Sequence, residues 1–250
     1  MRLIEDRLKS IIEAEGDKTL ALSKTPLSGY VALAVWDPGL VHNDKAPFDL
    51  FRTTFRVPQN PLESDGQTIF IFPGVQPSAT ASKKAILQPV LQWGPSASGG
   101  ANSWSAQSYY VRGTPETGLD IGVYSERRDV QPGDPLTAAI RLKEVRSVAG
   151  KISYFYSCEF EGIAGTWIGI DVPDPFVQMG VGLELYSAPS CSSLPAGNSI
   201  ILQTAIQSEG EALKPAWQLK NVNSCSLKVS AVEHGGVQDE ILFEYDAASS

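Results

Sequence analysis

"AILQPVLQWG", residues Ala85 to Gly94, sets two glutamines inside a run that otherwise reads as a buried strand. In an extended chain successive side chains point to opposite faces, so Leu87, Leu91 and Trp93 share one face while Gln88, Val90 and Gln92 share the other. The first face suits a core. The second presents two amides, which are useful only where something hydrogen-bonds with them.

The same short, β-rich grammar runs through most of the chain. From Tyr30 onward, runs rich in branched and aromatic residues are punctuated by Gly, Pro, Asn and Asp. Strands are predicted near residues 30–36, 50–57, 68–72, 84–93, 104–111, 119–124, 136–143, 151–160, 166–170, 177–186, 199–207, 225–232 and 240–245. So many strands with few helices between them predict two antiparallel sheets packed face to face, because parallel sheets need crossover helices. Ahead of them, Leu3, Ile4, Leu8, Ile11 and Ile12 recur at helical spacing and Gly16 is placed to end a helix. The expected organisation is an N-terminal helix and linker over residues 1–27 and a single all-β sandwich domain over residues 28–250. "GPSASGGANS" (Gly94–Ser103) follows the glutamine strand directly and reads as a flexible loop of the kind that rims a site.

Composition narrows the partners. The 250 residues are 42% hydrophobic and 19% charged, with a net charge of −8. That field repels a phosphate backbone, so nucleic acid is not expected. No apolar run approaches the roughly 18 residues of a membrane span, so no membrane partner is expected either. "MRLIEDRLKSIIEAEGDK" does not read as a secretion signal, which predicts a cytoplasmic protein as written, or a secreted one from which a signal has been removed. Cys158, Cys191 and Cys225 lack Cys-x-x-Cys spacing and read as buried thiols or as one disulfide with one thiol left over.

Familiar catalytic signatures are missing. His42 and His234 stand apart, and no Gly-x-Ser-x-Gly elbow, Walker loop or dinucleotide fingerprint occurs, so no cofactor and no metal are expected. "EFEG" (Glu159–Gly162) and "DVPDP" (Asp171–Pro175) carry loop carboxylates, read as solvated acids with a calcium site as the alternative.

The ordered set "SGYVALAV" (Ser28–Val35), "FRVP" (Phe55–Pro58), "PGVQ" (Pro73–Gln76), "AILQ" (Ala85–Gln88) and "GLELY" (Gly182–Tyr186) resembles the glutamic peptidases, also called eqolisins. The resemblance spans roughly residues 28–187 and implies a concanavalin-like, jelly-roll sandwich with a groove across one sheet. It also implies a catalytic pair, a glutamine in the "ILQ" strand and a glutamate on a later strand, which here fall on Gln88 and Glu184. In such a pair the glutamate activates water and the amide donates to an oxygen acquiring negative charge.

The departures from that pattern are chemical. Gln76 and Gln92 stand where the family usually carries acids, "SWSAQSYYV" (Ser103–Val111) lacks an acid altogether, and Tyr30 replaces a tryptophan. A single carboxylate among amides and aromatics (Gln76, Gln92, Trp104, Gln107, Tyr109, Tyr110 and Tyr186) suits a partly apolar small molecule whose oxygens accept from amides. Alternation leaves open whether Ser105, Gln107 and Tyr109 or Trp104, Ser108 and Tyr110 face it. Three functional readings result. The first is a cofactor-independent enzyme that orients a small hydrophobic natural product for cyclisation, cycloaddition or isomerisation. The alternatives are an acid glutamic peptidase or related hydrolase, and a lectin-like carbohydrate-binding module.

Overall fold

The computed structural model describes residues 27–38, 48–78, 81, 84–114, 118–148, 150–234 and 238–248. The helix expected near the N-terminus, His42 and the two glycines after His234 lie outside them. In chain order the strands are β1 (Leu27–Trp36), β2 (Leu50–Arg56), β3 (Thr68–Pro77), β4 (Lys84–Trp93), β5 (Trp104–Thr114), β6 (Gly118–Tyr124), β7 (Arg128–Asp129) and β8 (Pro135–Val148). They continue as β9 (Lys151–Phe160), β10 (Ile168–Val172), β11 (Phe176–Ala188), β12 (Ser199–Ser208), β13 (Glu211–Ala212), β14 (Gln218–Asn221), β15 (Lys228–His234) and β16 (Gln238–Glu244).

These strands form two antiparallel sheets, consistent with a β-sandwich. The first runs β14-β1-β11-β3-β4-β5-β6 with β7 on β5, and the second β10-β9-β8-β2-β12-β16-β15 with β13 on β12. What holds them together is the odd face of the opening strand: Leu87, Leu91 and Trp93 join Ile71, Leu183, Ile140, Tyr156 and Phe243 in one buried cluster spanning both sheets. Trp93 and Trp104 meet there with ring centroids 5.5 Å apart. Burying each such side chain contributes about 1.5–3 kcal/mol.

The even face is not open, contrary to the expected groove. Phe70, Phe72, Ile86, Val90, Tyr109, Val111 and Tyr186 form a second buried cluster on the outer face of the first sheet, with Tyr30 and Tyr124 packed against it. All of β4 except Lys84 is therefore buried, Gln88 and Gln92 included.

Elsewhere, Cys191 and Cys225 form a disulfide across a sequence separation of 34, and Cys158 is the buried free thiol. Cys225 lies in a turn with φ of 53°, not at the start of a strand as predicted. Glu159 and Glu161 face guanidinium groups: Arg141 Nη1 donates to Glu159 at 3.0 Å, and Arg52 and Arg141 both donate to Glu161. Asp171 accepts from Arg146 at 2.9 Å. These acids are ion-paired on the surface, Glu159 and Asp171 from within β9 and β10 and not from loops, which differs from the expected solvated or calcium-binding loop carboxylates.

Candidate functional site

Strand register decides which side chains meet on the outer face of the first sheet. Gly180 pairs with Gly74, and Val35 with Gly180 on the other side; Gln218 pairs with Val35 and Gln88 with Tyr109. Between β3 and β4 the register that pairs Ile71 with Leu91 and Val75 with Leu87 carries Gly74 to a place beside Gln88. A Cβ on Gly74 would lie 3.5 Å from Gln88 Cβ, which fits that place. One row across the sheet is therefore Gln218, Val35, Gly180, Gly74, Gln88 and Tyr109.

That register also sets Pro73 opposite Pro89. Neither proline has an N–H to give to the ladder, and pairing between β3 and β4 lapses from Phe72 to Gly74. The two glycines leave the face without side chains at the same place. A cavity of about 220 Å³ opens over them, walled by Tyr30, Leu33, Phe72 and Ile86 and rimmed by Gln76, Gln178, Gln218 and Lys220. Gln178 Nε2 donates to Asp37 Oδ2 at 2.7 Å on the rim.

Gln88 is 0% exposed, and neither its Oε1 nor its Nε2 has a hydrogen-bond partner. Leaving a buried polar atom unpaired costs about 1–3 kcal/mol, so such an amide in a native fold calls for a reason. Gln92, by contrast, is fully engaged. Its Nε2 donates to the carbonyls of Gly94 at 2.6 Å and Gly99 at 2.9 Å, while its Oε1 accepts from Tyr109 Oη and Ser96 Oγ. Gln107 Nε2 donates to Ser125 O at 2.7 Å, and its Oε1 accepts from Ser98 and Arg127. Gln92, Gln107 and Tyr109 thus fasten the Gly94–Gly100 turn over the sheet. The stretch read as a flexible rim is pinned by the very amides read as ligand contacts.

The predicted site residues separate accordingly. Ser105, Gln107 and Tyr109 take the outer face, whereas Trp104 and Tyr110 sit in the core between the sheets, because the period of two assigns them the other parity. Trp104 and Tyr110 are therefore not placed as substrate contacts. Tyr186 is buried among the outer rings, and its Oη donates to Glu184 Oε2 at 3.4 Å. Glu184 is itself 0% exposed and pairs with Tyr30 and Phe70, four residues along β11 from the Gly180 row. At about 3.3 Å per residue, Gln88 and Glu184 stand roughly 13 Å apart along the strands and two strands apart across them. The fold does not bring that pair together. It sets Gln88 beside Gly74, with Gly180 one strand further along the same row, and Gln76 beside Gln178, its ladder partner.

Gly74, Gly180, Gln178, Gln218 and Lys220 were not singled out from sequence. The alternation of Gly180 with Gly182 in "QMGVGLE" was the available signal, since glycines inside a strand mark a close approach of backbone or ligand. A larger cavity of about 540 Å³ lies on the outer face of the second sheet beside Arg56, Thr137 and Ile201. Arg56 there is bonded to Gly133 O at 2.9 Å, whereas the buried, unpaired Gln88 amide, although not itself part of the lining, stands beside Gly74 in the floor of the smaller cavity. The glycine-floored cavity is the better candidate.

Among described residues no helix is long and apolar enough to cross a membrane. No protein-family model and no curated protein sequence matches the chain. Among solved structures it is similar to scytalido-glutamic peptidase with a transition-state analogue inhibitor, with TM-score 0.51 and 14% identity over 87% of this chain and 98% of that one. It is also similar to SCP-B, a member of the eqolisin family of peptidases, in a complex with the tripeptide Ala-Ile-His, with TM-score 0.45, 14% identity and the same coverage. At these identities the likeness is a distant one of fold: the two-sheet architecture is shared with glutamic peptidases.

Proposed function

We propose that the outer face of the first sheet, on a jelly-roll sandwich of the glutamic-peptidase kind, binds a small, largely apolar organic molecule at the cavity over Gly74 and Gly180. On this reading the chain acts on that molecule without a cofactor, by orientation and amide hydrogen bonds, in an isomerisation or cyclisation. The observation that carries the reading is the Gln88 amide, wholly buried and unpaired, in the row of the two glycines. A ligand oxygen accepting from Nε2 removes the cost of that unpaired donor. Where the oxygen belongs to a carbonyl that gains negative charge as bonds reorganise, the amide stabilises the transition state more than the ground state. Holding a flexible chain in a reactive geometry supplies the rest. The walls of Tyr30, Leu33, Phe72 and Ile86 suit an apolar body.

The test is to denature purified protein, extract it with organic solvent and analyse the extract by mass spectrometry. A retained organic molecule that is missing from a folded Gly74→Val variant supports the reading. An empty extract, together with no turnover of polyene or quinone-methide candidates, ends it.

Peptide hydrolysis is the second reading, favoured by the fold likeness. It predicts cleavage of a peptide library that is lost in both Gln88→Ala and Glu184→Gln, and cleavage surviving either substitution excludes that pair. Carbohydrate binding lacks its usual platform on this face, where the rings of Phe70, Tyr109 and Tyr186 are buried against each other and not displayed.

A further inference from the structure

The cavity's lining carries one cationic donor, Lys220, among neutral amides. Lys220 lies on β14 opposite Leu33, and Gln218 opposite Val35, so both share the face that carries the glycines. Among the described residues neither the Lys220 ammonium nor the Gln76 and Gln218 amides have a hydrogen-bond or ion-pair partner. The rim's carboxylate, Asp37, already accepts from Gln178. Asp37 and Lys220 are the two charged side chains of the lining; with the Asp37 carboxylate held by Gln178, the Lys220 ammonium is the charge left for a ligand, and the rest of this acidic chain is screened beyond about 8 Å at physiological salt.

Resting on the small-molecule reading above, we infer that the ligand is an anion: an organic carboxylate whose apolar body lies against Tyr30, Phe72 and the glycine floor and whose charged group meets Lys220. A carboxylate offers two oxygens with about four lone-pair sites, which matches one ammonium and the neighbouring amide donors. The corresponding neutral amide keeps the body but gives up the ion pair with Lys220.

Titration calorimetry with trans-cinnamate and trans-cinnamamide tests this. The full chain is expected to bind cinnamate about tenfold more tightly than cinnamamide, the size of one charge-assisted bond at a solvated site. That preference shrinks as salt rises. Lys220→Met, which keeps the aliphatic stem on an exposed edge strand, is expected to abolish the preference by lowering cinnamate affinity much more than cinnamamide affinity. Equal binding of the two probes, or a preference that survives Lys220→Met, overturns the carboxylate assignment and leaves the cavity reading standing. Binding of neither probe overturns both.

Discussion

Filling the glycine floor separates a ligand cavity from a packing flaw. Gly74 has ordinary extended backbone, and a Cβ there would meet Ile86 Cδ1 at 3.2 Å, the movable end of a flexible side chain. In Gly74→Ala one carbon enters the cavity, and in Gly74→Val three. Each carbon of ligand displaced forfeits about 0.8 kcal/mol of burial, so the losses are about 0.8 and 2.4 kcal/mol, or roughly fourfold and 60-fold in affinity. Stability moves much less. Removing a strand glycine returns about 0.5–1 kcal/mol, and crowding Ile86 costs about 1 kcal/mol or somewhat more, so both variants stay within about 2 kcal/mol of the parent. Gly180 provides the contrast: its Cβ would lie 3.1 Å from the Ala34 carbonyl oxygen, which is backbone and yields less readily. Urea denaturation establishes folding, and the amount of retained ligand or the calorimetric affinity for trans-cinnamate reports the site. A folded Gly74→Val protein that binds as well as the parent refutes the placement of the ligand over this floor.

Three other outcomes test the surroundings. Gln92→Leu leaves the carbonyls of Gly94 and Gly99 without their amide donor and is expected to cost about 2–4 kcal/mol. Limited proteolysis should then cut the Gly94–Ser103 stretch, and an uncut, equally stable variant refutes the pinning role. For Glu161, burial pushes the carboxyl up, but the guanidiniums of Arg52 and Arg141 together hold it below the usual range. A carboxyl depressed by folding contributes stability that is present above its unfolded-state pKa and lost as pH falls through the folded value. Glu161→Gln should therefore cost about 1 kcal/mol at neutral pH, a difference that shrinks toward zero in acid; a difference constant with pH contradicts the assignment. Breaking the Cys191–Cys225 bond by a double Ser substitution releases a closed loop of 34 residues and is expected to cost about 3–4 kcal/mol in denaturation experiments. Disulfides persist in oxidising compartments, so thiol titration of protein taken from its native source distinguishes the cytoplasmic from the secreted expectation.

Much of the strand plan was legible because it depends on local pattern. The period of two in "AILQPVLQWG" assigned Leu87 and Gln88 to opposite faces: Leu87 lies in the core between the sheets, and Gln88 shares the outer face with Ile86 and Val90, which is covered and not the open groove expected. "SWSAQSYYV" was ambiguous because both of its parities mix aromatic and polar residues. The register with β4 resolves it, and register between strands is a long-range property. The separate duties of Gln88 and Gln92 were likewise invisible: both occupy the even face of one strand, and only the return of the Gly94–Gly100 turn gives Gln92 its partners. β14 escaped notice because "QLKN" is four residues long and mostly polar, with little to mark it until β1 lies alongside. Three cysteines allow three pairings, and chain folding selects one of them.

The outer face of the first sheet is asymmetric along its strands, and the asymmetry is what makes a specific site possible there. At one end Gln92, Gln107, Tyr109, Ser98 and Arg127 are tied together by side-chain hydrogen bonds, so that end is clamped. Arg127 spans it by donating to Ser98 O at 2.9 Å and to Gln107 Oε1 at 3.1 Å. At the other end the opposed prolines interrupt the ladder and the paired glycines remove side-chain bulk. Gln88 belongs to the second end by row, yet its neighbour Tyr109 is bonded into the first. A ligand drawing on the Gln88 amide would therefore be held by a strand whose far end is already clamped, which is the geometry a site working by orientation requires. Gln107→Leu tests this connection: it cuts the clamp without touching the cavity rim, and on this argument it lowers turnover of a bound substrate more than its affinity. Turnover and affinity both unchanged would instead mean that the two ends of the face act independently.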